Sequence, residues 1–131
     1  MHPANIDRQE RGHRAETYAC ALLRRLGMTL VARNYRYLGG EIDIVAQTPA
    51  KLWIFVEVKS VWHPLMGNPN RRVGYTKQYK LWRTAVHFLH FHGGQEQGAR
   101  FDVICLDYRH GHPRLKHYPN AFEASQTLPY C

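Results

Sequence analysis

Two alternating runs, GEIDIVAQ at 40–47 and LWIFVEVKS at 52–60, are separated only by TPAK, and this pair constrains the fold more than anything else in the chain. Side chains two apart on a strand share a face, and strands joined by so short a link pair as an antiparallel hairpin. In the first run Glu41, Asp43 and Val45 alternate with Ile42, Ile44 and Ala46. In the second, Leu52, Ile54, Val56 and Val58 face one way, and Trp53, Phe55, Glu57 and Lys59 the other. A turn centred on Ala50 sets Asp43 opposite Glu57 and Glu41 opposite Lys59, with opposed Cβ atoms about 4.5–5.5 Å apart. The pattern therefore predicts three carboxylates and one ammonium on one face. An ordinary solvated face held by cross-strand ion pairs would use the same residue types.

The distribution of acids argues against that ordinary face. From Thr17 to Gln95 the only acids are Glu41, Asp43 and Glu57, set among eleven Lys and Arg. Acids are depleted in strands generally, yet these three fall on the two strands. Over the whole chain 18 Lys and Arg outnumber 10 Asp and Glu, a formal charge of +8. That surplus on a small domain implies a polyanionic partner, nucleic acid in the first instance.

The remaining segments fit an α/β domain. Residues 9–26 carry Ala15, Ala19, Leu22, Leu23 and Leu26 at helical spacing, with Gly27 as the stop. A strand is expected at 30–37, a long loop at 62–75, and a second helix from near Thr76 to His92 on the apolar stripe Leu81, Ala85, Phe88 and Leu89. RFDVICLD reads as a fourth strand and PRLKHY as a short fifth. The order α-β-β-β-α-β, with an extra C-terminal strand, implies a central mixed sheet flanked by helices. A chain of 131 residues fits one domain over 1–131. No apolar run is long enough to span a bilayer, and the polar N-terminus lacks a secretory core, so no membrane partner and a cytoplasmic location are expected. Three scattered cysteines argue against a disulfide framework.

The clustered acids suit metal-assisted hydrolysis of a phosphodiester. Mg²⁺ takes oxygen ligands and keeps several waters, so one or two carboxylates hold it, and Mn²⁺ is the alternative ion. Such an ion polarises the phosphate and activates water, while a neighbouring lysine orients that water or offsets charge. The backbone carbonyl of Val58 is a further candidate ligand.

GEIDIVA and FVEVKS, with RGHRAETYACALLRRLGMTLVARNYR before them and Lys77, RFDVICLD and NAF at 120–122 after them, resemble the signature of the YraN-like family of small bacterial proteins. The resemblance covers nearly the whole chain. It implies a restriction-endonuclease-like fold of the PD-(D/E)XK type, related to archaeal Holliday-junction resolvases, and a DNA endonuclease that acts on branched or damaged DNA. It also implies Asp43 and Glu57 as metal ligands, Lys59 as the third catalytic residue and Glu16 as an additional acid; Glu41, on the same strand face as Asp43, is a further candidate ligand. Ser60-Val61 stands where the family usually has a Thr-Arg pair, so that arginine is lacking here. The rival expectations are a non-catalytic nucleic-acid-binding module and an adaptor in DNA processing. Cutting both strands of a duplex would favour a homodimer.

Arg71, Arg72 and Tyr75 in the long loop are candidates to grip a backbone or stack on a base. Lys77, Lys80, Thr84 and His87 share one helix face, with Arg83 nearby, and read either as phosphate contacts or as a solvated face. The nine histidines lack a zinc motif. Asp102 alternates with Ile104 and Leu106 and reads as structural, bonded to a neighbouring loop.

Overall fold

A computed structural model describes residues 7–63, 74–93 and 97–122. Helix α1 (Arg8–Arg25) leads into strands β1 (Thr29–Tyr37), β2 (Gly40–Gln47) and β3 (Trp53–Val61), then helix α2 (Tyr75–His92) and strands β4 (Ala99–Asp107) and β5 (Arg114–Phe122). Helix α1 begins because Asp7 caps it: the Asp7 Oδ1 accepts from the Glu10 backbone N–H at 2.8 Å. It ends at Gly27, whose φ of +86° is easy only for glycine. There the Gly27 and Met28 N–H groups donate back to the Arg24 and Leu23 carbonyls, the double closure that satisfies a helix C-terminus.

The five strands form one mixed sheet in the order β1-β2-β3-β4-β5. Strands β1, β2 and β3 are successive antiparallel neighbours, β4 runs parallel to β3, and β5 returns antiparallel to β4. The parallel β3–β4 pair needs a crossover connection, and α2 lies in it. The sheet is buried on both faces. Ala19, Cys20 and Leu23 of α1 pack on Ile44, Ala46, Ile54, Val56 and Ile104. Leu81, Ala85 and Phe88 of α2 pack on Ile42, Val45, Trp53, Phe55 and Val103. Two stacked apolar layers explain why β3 reads LWIFV rather than a clean alternation of apolar and polar.

Three expectations are corrected. Strict alternation along β2 fails, because Ile42 joins Val45 on the α2 face while Ile44 and Ala46 face α1. The break falls at Asp43. On the neighbouring strand, Asn34 adopts a φ of +52°, a conformation asparagine tolerates better than most residues. The fifth strand is not short: it spans nine residues and bulges opposite Asp102. Cys105 is disulfide-bonded, although Cys20 is a free, buried thiol. Most of the expected loop, including Arg71 and Arg72, lies outside the described residues, and Tyr75 belongs to α2. No helix among the described residues is long and apolar enough to cross a membrane.

Candidate active site

The β2–β3 ladder places the acids. Its pairs run from Gln47↔Trp53 to Ile44↔Val56, and the next step of that register would set Asp43 against Glu57. Pairing stops one step short of that position. There the Asp43 Oδ2 accepts a hydrogen bond from the Val58 backbone N–H at 2.7 Å, so a side chain takes the place of a backbone partner. The N–H and C=O of one residue leave the same edge of a strand. The Val58 carbonyl therefore also points toward β2.

Asp43, Glu57 and Glu41 line one cleft of about 430 Å³, closed on the other side by Thr76, Lys77 and Lys80 of α2. Helix α2 reaches this close because Gly40 has no side chain. A Cβ there would lie 2.3 Å from the Thr84 hydroxyl and 2.8 Å from the Lys80 carbonyl oxygen. Glu57 is only 7% exposed, and its Oε1 meets the Lys77 ammonium at 2.5 Å. Burial pushes the Lys77 ammonium down, but the Glu57 charge beside it prevails and holds it above its ordinary value.

Asp43 is the most perturbed acid in the cleft. Burial, then the charge of Glu57, push its carboxyl up to about 8, against the pull of the Val58 N–H; Glu16 and Glu41 push the same way. The cost of ionising Asp43 is first that of burial and then that of the Glu57 charge beside it. Among the described residues no three His, Cys, Asp or Glu stand in metal-holding geometry. The candidate donors are the Asp43 and Glu57 carboxylates that line the cleft, with the Val58 carbonyl on the β2-facing edge of β3 beside them in sequence. That set fits a hard divalent cation that keeps its own waters.

Glu16 and Glu41 are joined by a residue that sequence reasoning passed over. The Asn34 Nδ2 donates to Glu16 Oε1 at 3.0 Å and to Glu41 Oε1 at 2.9 Å. Arg36 and Arg33 add contacts to Glu41 and Glu16 at 3.3 and 3.5 Å. Glu41 is shared with a larger cleft of about 760 Å³ on the α1 side, lined also by Glu16, Asn34 and Arg36. The only signal for Asn34 in the sequence is an asparagine in a strand, a poor strand former.

Other expected site residues divide. Lys59 follows Glu57 by two residues on β3, in register with Cys105 and partly buried, and it is not among the residues lining the cleft. Lys80 lines the cleft, while Tyr75 is exposed at the first turn of α2. The helix face read as Lys77, Lys80, Thr84 and His87 is not one solvated surface. Thr84 is buried against Gly40 and donates to the Lys80 carbonyl at 2.7 Å. His87 bonds the Tyr35 hydroxyl at 2.7 Å and stacks on Tyr37. Those two residues seat the helix on the β1–β2 hairpin.

A family model described as "Uncharacterised protein family UPF0102" matches residues 15–106. A UPF0102 protein of Anaeromyxobacter dehalogenans is 36% identical over 88% of this chain and 86% of its own length. Another, from Geobacter sulfurreducens, is 40% identical over 86% of this chain and 88% of its own length. A solved structure of Pyrococcus furiosus SfsA in complex with Ca²⁺ aligns with 87% of this chain, which spans 64% of that one, at 16% identity and a TM-score of 0.38. That likeness is too distant to carry an argument.

Proposed function

We propose that this chain, which belongs to the uncharacterised protein family UPF0102, YraN-like and of the restriction-endonuclease-like PD-(D/E)XK type, is a metal-dependent endonuclease that hydrolyses DNA phosphodiester bonds. The observation that carries the reading is the Asp43–Glu57 pair. A carboxyl whose ionisation is opposed by burial and by the neighbouring Glu57 charge, in a cleft walled by lysines, is what a divalent cation stabilises and what a structural face avoids.

In this reading Asp43, Glu57 and the Val58 carbonyl hold Mg²⁺ or Mn²⁺. Glu41 and Glu16, tied by Asn34, set the charge beside it. When bound, the ion supplies Lewis-acid polarisation of the phosphate and a more acidic water. Lys77 and Lys80 offset phosphate charge at the cleft wall, and Lys77 holds Glu57 in place meanwhile. Lys59, two residues after Glu57 on β3, is the residue that the family resemblance assigns to orienting the attacking water or neutralising developing charge.

Labelled duplex, single-stranded and four-way-junction DNA, incubated with Mg²⁺, Mn²⁺ or EDTA, tests this directly. Cutting is expected with metal, none in EDTA, and a loss of roughly a hundredfold or more in Glu57→Ala. One observation favours a second reading, a non-catalytic nucleic-acid-binding module: the Lys77 ammonium already pairs with Glu57. Binding without cutting under every condition, by wild type and Glu57→Ala alike, would establish that module and sink the nuclease.

A further inference from the structure

Helix α2 buries Gln78, Leu81, Thr84, Ala85 and Phe88, yet its opposite side is not polar. Tyr75, Tyr79 and Trp82 are 62%, 55% and 42% exposed. Their spacing of four and then three residues lines them up along one outward face. Tyr79 and Trp82 lie with ring centroids 6.1 Å apart. The cationic flank of this line leads back to the cleft. The Arg83 guanidinium lies 5.6 Å from the centre of the Tyr79 ring and donates to the Leu38 carbonyl. Beyond Arg83 around the helix comes Lys80, which lines the cleft. No acid occurs anywhere on α2.

We propose that the outer face of α2 is a platform for unpaired nucleotides that continue from the cleft, with bases stacked on Tyr79, Trp82 and Tyr75 and phosphates on Lys80 and Arg83. Duplex DNA offers its phosphates to such a surface but keeps its bases stacked on each other. Exposed rings interleaved with cations gain only from bases that have been freed. The substrate class is then nucleic acid with a single-stranded segment beside the scissile phosphate. This deepens the nuclease reading and rests on it only for the cutting. A second copy of the chain is a poorer occupant, because apposed α2 helices would set Lys80 and Arg83 of both copies together with no acid on either helix.

Binding is measured in EDTA, by fluorescence anisotropy with a short labelled oligothymidylate and with a blunt duplex of equal length. The double variant Tyr79→Ala/Trp82→Ala is expected to weaken oligothymidylate binding about tenfold or more while duplex binding changes less than about threefold. Tyr79→Phe/Trp82→Phe should restore most of the loss, since rings and not hydroxyls do the stacking. The salt dependence should keep its slope, because no phosphate contact has been removed. Equal weakening for both probes, or none for either, overturns the platform. So does a shift from dimer to monomer in sedimentation of the double alanine variant, which would assign the face to a second copy. A protein that passes this test but never cuts with metal has lost the nuclease reading and kept the platform. One that cuts but binds oligothymidylate unchanged in the variant has lost the platform alone.

Discussion

Asp43 and Asp102 are aspartates set into the same sheet, and their surroundings drive them in opposite directions. Asp102 is fully buried. Burial pushes its carboxyl up, but His117, Arg100 and the Asn120 N–H outweigh that and hold it below its usual range. Each oxygen is used: Oδ1 accepts from Arg100 and Asn120, and Oδ2 from Arg100 and His117. Asp43 has one backbone donor and three acids acting on it, and it is driven up. A carboxylate whose lone pairs are spent on the protein holds the protein together; one left short of donors and cations is open to something else. Asp102 pins the β4–β5 bulge, whereas Asp43 opens the β2–β3 ladder.

The largest test of this contrast is Asp102→Ala. It strands Arg100 and His117 and should cost about 3 kcal/mol in urea unfolding, the lower end for breaking a buried pair because Arg100 is partly solvated. Asp43→Asn should instead stabilise the metal-free protein by about 1 kcal/mol, because it removes a poorly compensated carboxylate. Equal losses in the two variants would end the distinction.

The pH dependence separates the two centres by sign. The folded Asp43 binds its proton up to about 8 and the unfolded one only to near 3.8. Its contribution is therefore full below pH 3.8 and is lost as pH rises through 8. In EDTA, wild-type stability should fall across that window, and Asp43→Asn should flatten the fall. Asp102 runs the other way, as does Asp107, which the Arg109 side-chain hydrogen bonds hold at about 2. Their contributions are present above the usual carboxylate range and fade as pH drops below it.

Metal sharpens the contrast further. Millimolar Mg²⁺ at pH 8 should raise the melting temperature of the wild type by a few degrees, roughly the effect of 1 kcal/mol of ligand binding. The shift should vanish in Glu57→Ala and persist in a variant of the Arg109 pair such as Arg109→Ala. The smallest effect is expected from Lys77→Ala. Its side chain is half exposed, so the loss of stability should stay below about 1 kcal/mol. The Mg²⁺-induced shift should grow, because the ammonium no longer competes for Glu57. A smaller shift would mean that Lys77 helps build the ion site instead.

Much of this was readable from residues alone. Two runs with TPAK between them specify a hairpin, and the observed register, Ile44 across from Val56, is the one that a turn about Ala50 predicts, although the ladder ends before Asp43 and Glu57 pair. Helix boundaries came within one residue for the same reason: spacing, Gly27 and Gly93 are local signals. Periodicity does not place Thr84 and His87, because a period of 3.6 says which residues share a face but not which neighbour covers it. The α2 face that looked like one basic surface is split by the β1–β2 hairpin, which approaches through Gly40.

The sequence by itself determined the element order and the pairing of β2 with β3, since both depend on short-range periodicity and turn length, whereas alternation breaks at Asp43 and the cleft shared by Glu41, Asp43 and Glu57 is set by the fold. Only the tertiary structure decided that the ladder opens at Asp43, that Asn34 from β1 ties Glu16 of α1 to Glu41, and that Lys77 reaches Glu57 from α2. Only it also decided that Asp102 is spent on β5 rather than on a loop. Those contacts join residues from 7 to 20 positions apart up to whole elements apart, and their energies depend on burial and on which charges share a cleft, neither of which a linear pattern encodes.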